Sequence, residues 1–189
     1  MDIWELPTSL NIAGTDYKIR SDFRAILDIL KYFSDPNYGN YERWEICFTI
    51  LYEDYENMPP YQKEEAAKAA LSFIDAGISE EEKKKPTLMD WEQDAPIIIP
   101  AVNKVMGKEV RSIPYLHWWT FMGAYMEIGE SLFKQVLNIR QKKKKGEHLE
   151  KWEDKFYRDN KNLCDLKKKY TEAELEKQRE LLRILDGEV

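Results

Sequence analysis

Two histidines and two cysteines are the residues best suited by type to metal or nucleophilic chemistry, and their spacing works against both. His117, His148, Cys47 and Cys164 are far apart in the chain, with no CxxC or HxxxH pair among them. Zinc sites ordinarily contain such a close pair, because two ligands on one turn or helix face lower the entropy cost of assembling four. A zinc site is therefore conceivable by residue type alone, and two core cysteines with two ordinary histidines are the simpler expectation. Carboxylate pairs such as Glu64-Glu65, or Asp90 with Glu92 and Asp94, are common in a chain with 35 acidic residues. Acid–base work needs two carboxyls at a defined separation in a cleft; a solvated helix face or a helix cap accounts for these. The eight glycines are scattered, and no GxxxxGK[ST], GxGxxG or GxSxG phrase occurs. His117-Trp118-Trp119 reads as the start of a packed helix, with His117 a satisfied polar residue rather than a base. No catalytic residue, metal or other cofactor is expected, and the chain reads as a binding protein rather than an enzyme.

Lys142, Lys143, Lys144 and Lys145 form the one run that could meet phosphates. The chain as a whole carries a net charge of −6, with 14 Lys/Arg against 10 Asp/Glu in residues 140–180 and 15 against 25 elsewhere. A surface of that balance lacks the basic field that nucleic-acid binding requires. The lysine run reads as a solvated basic loop that is open to an acidic protein partner, with nucleic acid unlikely. The asymmetry itself is that of an interacting tail, or of head-to-tail association between copies.

These residues need elements to hold them. Ser9–Ile12 and Tyr17–Arg20 alternate in polarity around the turn Ala13-Gly14-Thr15-Asp16, which predicts a β-hairpin. Helical spacing then takes over. Ser21 or Asp22 can cap a helix carrying Phe23, Ile26, Leu27, Leu30 and Phe33; a second carries Trp44, Cys47, Phe48, Leu51 and Tyr55; a third buries Ala66, Ala67, Ala70, Leu71 and Ile74 and stops at Gly77. Ser79–Lys85 reads as an exposed charged linker. Pro96 and Pro100 predict a kink or a break near Ile97-Ile98-Ile99. Tyr115, Trp118, Trp119, Met122, Tyr125 and Met126 form the most apolar helical stripe, and Ser131 can cap a shorter helix with Leu132, Phe133, Val136 and Leu137. Leu149, Trp152 and Phe156 space out one more. Thr171-Glu172-Ala173-Glu174 is a capping box leading into a narrow stripe of Leu175, Gln178, Leu182 and Leu185.

The fold class is therefore mainly α: a bundle-like helical body with an N-terminal hairpin over 1–139, and a charged helical C-terminal extension over 140–189. The partner-binding candidates are Lys142, Lys143, Lys144, Lys145, Leu175, Leu182 and Leu185. No secretory n- and h-region opens the sequence, and no apolar run approaches the roughly 20 residues of a membrane span.

Several phrases together resemble one family. Ile19-Arg20-Ser21-Asp22-Phe23-Arg24, after the hairpin, is similar to its I-R-T-D-F-R. Asp90-Trp91-Glu92-Gln93-Asp94-Ala95 resembles its D-F-E-x-D-A, with Trp91 in place of phenylalanine. His117-Trp118-Trp119-Thr120-Phe121 matches its H-W-W-x-F, and Ile139-Arg140 its following I-R. This is the "gp-fifteen" family of siphophages and prophages of Gram-positive bacteria, and the resemblance runs from about residue 5 to residue 170. It implies a gene between those of the major tail protein and the tape-measure protein, a position typical of tail-assembly chaperones. The implied partners are the tape-measure protein and other tail-assembly proteins, with self-association into a homo-oligomer also compatible, in the cytoplasm of the infected bacterial host. It carries no established enzymatic activity. A minor structural or connector component of the tail, and an early nucleic-acid-binding or host-modulating protein, are the alternatives.

Overall fold

A computed structural model describes residues 4–77 and 87–185; the linker expected at Ser79–Lys85 lies outside them. Strands β1 (Ser9–Ile12) and β2 (Thr15–Lys18) pair antiparallel with Leu10 opposite Tyr17. The turn is two residues, not four. Ala13 and Gly14 both take left-handed φ values of 48° and 84°, the pattern whose twist matches that of a tight hairpin. Alanine seldom occupies such a position, so the residue types concealed the shorter turn. Leu10, Ile12 and Tyr17 face inward. Ile19 then bridges to Tyr52, and the Arg20 N–H donates to the Leu51 carbonyl at 2.8 Å, docking the hairpin on the end of the second helix.

Helix α1 (Phe23–Ser34) is capped by Asp22, whose carboxylate accepts the Arg24 N–H. It buries Phe23, Ile26 and Ile29, with Leu27, Leu30 and Phe33 packed at the margin. Helix α2 (Asn40–Leu51) stops before Tyr55, and α3 (Lys63–Ile74) buries Phe73 while leaving the predicted core residue Leu71 exposed. Helix α4 (Ala95–Met106) is unbroken despite its prolines. Pro96 sits in the first turn, where helical N–H groups have no intrahelical acceptor anyway. Pro100 removes one further donor, and the burial of Ile97, Ile98, Ile99, Ala101 and Val102 outweighs that loss.

Helix α5 (Trp118–Met126) begins three residues later than the aromatic stripe implied, because His117 is its cap: Nδ1 accepts the Trp119 N–H at 3.0 Å. Tyr115 consequently lies outside the helix and is exposed, its hydroxyl bonded to that of Ser21. Ser131 caps α6 by accepting the Lys134 N–H, as the sequence predicts. However, α6 runs from Leu132 to Lys145, so the four lysines are its last turn rather than a loop. Lysine is a good helix former and is favoured near a helix C-terminus; the change of polarity there is not a change of structure. Residues 139 and 140, on either side of the expected division, are consecutive in this helix. Helices α7 (Lys151–Asp159), α8 (Lys161–Cys164) and α9 (Glu172–Leu185) complete the described chain. In α7 the buried residue is Glu153, while Trp152 points out.

Candidate protein-interaction surface

The four phrases singled out in the sequence meet in two junctions. In the first, residues 21–23 and 116–118 run antiparallel. The Phe23 N–H donates to the Leu116 carbonyl at 2.9 Å and the Trp118 N–H to the Ser21 carbonyl at 2.7 Å. Asp22 uses its second oxygen to accept the Leu116 N–H. Arg20 donates to the carbonyls of Thr49, Ile50 and Tyr52, closing the end of α2. The two indoles of Trp118 and Trp119 donate to the Ile74 and Phe73 carbonyls at 2.8 Å each, closing the end of α3. Helix ends leave such carbonyls without internal partners, so this junction terminates two helices and starts two more. His117 is fully engaged, with Nε2 on the Pro7 carbonyl and Nδ1 on the Trp119 N–H.

In the second junction Arg140 reaches Asp94. Its Nη1 and Nη2 donate to the two carboxylate oxygens at 2.6 and 2.8 Å. The remaining donors go to the Cys164, Leu88 and Leu163 carbonyls. Gln93 adds two bonds to the segment that follows, giving an N–H to the Asp165 carbonyl and accepting that of Lys167. Lys169 follows with contacts to Asp90, Glu92 and the Ser34 hydroxyl. Trp91 packs against Trp118, Phe121 and Tyr125, linking the two junctions.

Residues 3–166 match the family described as Bacteriophage Gp15 protein. The chain belongs to this family. No curated protein and no solved structure matches it. The matched stretch of this Gp15 family member takes in the first junction and the Asp94–Arg140 pair of the second, and ends before α9 begins. The four phrases of this sequence lie in structural knots that fix helix ends.

The residues suited by type to metal chemistry are dispersed. Among the described residues no group of three His, Cys, Asp or Glu side chains is placed to hold a metal ion. Cys47 is buried and its thiol is pushed up to about 12 by that burial, far from a reactive thiolate.

The predicted partner-binding lysines have partners within the chain. Lys142 donates to both oxygens of Glu153 at 2.8 and 2.7 Å. Lys143 meets Asp165 at 3.1 Å and lies 3.5 Å over the ring of Tyr157. Lys144 donates to the Thr87 carbonyl, and Lys145 pairs with Glu147. Lys142 and Lys143 strap α7 and Asp165 to α6. The leucines are placed differently. Leu175 and Leu182 are 38% and 58% exposed on α9, and Leu181, which the sequence reading passed over, is 59% exposed. Leu185 closes the helix, its side chain lying outside those described. Thr171 and Glu174 form the predicted capping box, each accepting the other's N–H. The Glu172 N–H donates to Asn37; among the described residues α9 makes no hydrogen bond to the body beyond that point.

One further apolar feature escaped sequence reasoning. A cleft of about 340 Å³ opens between α1, α3 and α5, lined by Leu30, Ile74, Asp75, Trp91, Trp118, Met122 and Met126. Trp118, Met122 and Met126 belong to the apolar stripe of the sequence, and a helix stripe does not reveal where packing stops. Met126 is 44% exposed at its edge. Partial burial raises the Asp75 carboxyl above its ordinary value, so the cleft is apolar with an acid at its mouth.

Proposed function

We propose that this phage protein is a tail-assembly chaperone that holds an amphipathic helix of the tape-measure protein in the Trp91–Met126 cleft. The observation that carries this reading is the cleft itself, which lies within the matched stretch and is open at the surface. Methionines and indoles give an adaptable apolar floor that accepts varied side chains, and a long helical client offers many slightly different stretches. Asp75 favours a helix that presents Lys or Arg beside its apolar anchor. A surface of this size binds by moderate contacts, which suits a factor that must release its client when the tube polymerises. Among the described residues no helix is long and apolar enough to cross a membrane, consistent with work in the cytoplasm of the infected host. The lysines of α6 act in this reading as internal struts.

Binding of a tape-measure fragment to the intact chain, to Met126→Glu, and to a chain ending at Tyr170 tests the proposal. Loss of binding in Met126→Glu alone supports the cleft. Loss on truncation alone moves the client to α9, and no binding by the intact chain overturns the chaperone reading. Mass spectrometry of purified particles separates chaperone from connector: a chaperone is absent from them.

A further inference from the structure

Helix α9 is a 14-residue amphipathic helix whose Leu175, Leu181 and Leu182 are exposed and whose only hydrogen bond to the described body is at its first residue. Isolated helices of this length are marginal in water, so its apolar edge is a face awaiting cover. Leu175, Gln178, Leu182 and Leu185 follow one another at three-, four- and three-residue steps, the a and d spacing of a two-stranded coiled coil. Leu181 borders that seam and widens it. Glu174 and Arg179 flank it at the g and e positions, while Glu176, Lys177, Glu180 and Arg183 fall on the outer faces.

We infer that α9 pairs with α9 of a second copy of this chain as a parallel, in-register coiled coil. The charges choose both the occupant and the direction. In a parallel pair, Glu174 of each copy faces Arg179 of the other, giving two attractive contacts across the seam. An antiparallel pair brings the two Arg179 side chains opposite each other at its centre. Gln178 meets its counterpart in the parallel register, where each amide can donate and accept, so a slip of register leaves it against leucine. The matched family stretch ends at residue 166, so the pairing element is separate from the body that carries the cleft. A seam of two heptads is short, and the dimer therefore forms and dissociates with concentration. On the chaperone reading above, pairing presents two clefts to one long client.

Sedimentation equilibrium of the full chain over a range of concentrations reads the pairing directly. A reversible monomer–dimer equilibrium is expected. Glu174→Arg and Arg179→Glu should each weaken it by about tenfold or more, since each turns two attractions into two repulsions. The double variant E174R/R179E restores the cross-seam contacts and should pair more tightly than either single variant, short of the parent by the lost Thr171–Glu174 cap. Gln178→Cys should cross-link into a dimer on mild oxidation, with Cys47 and Cys164 protected by burial. A chain that is monomeric at every concentration overturns the inference, as does a dimer indifferent to both single reversals or a Gln178→Cys chain that does not cross-link. Tape-measure binding is a separate measurement, so either proposal can fail while the other stands.

Discussion

Arg140 closes a two-pronged ion pair on Asp94, 46 positions earlier in the chain, and gives all five of its N–H groups to protein acceptors. The side chains are 5% and 0% exposed. A buried pair of this kind adds little net stability over apolar packing, but removing one partner strands a charge at a cost of several kcal/mol. The guanidinium also collects the Cys164 and Leu163 carbonyls, so one residue joins α6 to the start of α4 and to the C-terminal end of α8.

Arg140→Ala and Asp94→Ala should each lower stability by about 3–5 kcal/mol. At this chain length that corresponds to a Tm roughly 6–20 °C lower. The D94A/R140A double variant should lose less than the sum of the two, because each single change already breaks the same pair. Differential scanning calorimetry reads all three; additive losses would show that the two residues act independently.

The Lys142–Glu153 pair gives α7 a pH dependence. The Lys142 ammonium bonded to both oxygens holds the Glu153 carboxyl below its ordinary value. A lowered folded-state pKa contributes stability that is present above the unfolded value of about 4.3 and is lost as the pH falls through the folded one. Glu153→Gln should therefore be less stable than the parent at pH 7, with the difference shrinking below pH ~4. Urea titrations from pH 7 to pH 3 measure it, and a difference constant across that range would remove the pair as its cause.

Truncation separates the tail into two parts. A chain ending at Tyr170 keeps the Arg140, Gln93 and Lys169 contacts and should melt as the parent does. A chain ending at Asn138 loses Arg140 and should fail to fold cooperatively. Near-UV circular dichroism, which reports the packed tryptophans, distinguishes them; a native spectrum from the shorter chain would show that the knot is dispensable.

Ala13 occupies a left-handed turn position that asparagine adopts more readily. Ala13→Asn should stabilise the hairpin by about 0.5–1 kcal/mol, seen as a higher urea midpoint at unchanged slope. A lower midpoint would mean that the Ala13 N–H contact with Glu65 depends on the smaller side chain.

The parts written locally were legible. The hairpin, the Asp22 and Ser131 caps, the Thr171–Glu174 box and most helices follow from spacing and capping chemistry acting within a few residues. The readings that failed share one property. Of the kink or break expected at Pro96 and Pro100, the break is absent once the helix is buried. The lysines read as a loop until Glu153 and Asp165 face them, and Trp152 reads as part of the apolar stripe until Glu153 takes the inward place.

The sequence by itself determined the helical character, the caps, the family phrases and the heptad stripe of α9, because each depends on neighbours at fixed short separations. Only the tertiary structure decided that Asp94 and Arg140 form one buried pair, that Asp22 and His117 start two helices from a shared bridge, and that Trp91, Met122 and Met126 line an open cleft. Those contacts join residues from 31 to 95 positions apart, where no periodicity operates and only the packing of whole helices determines which side chains meet.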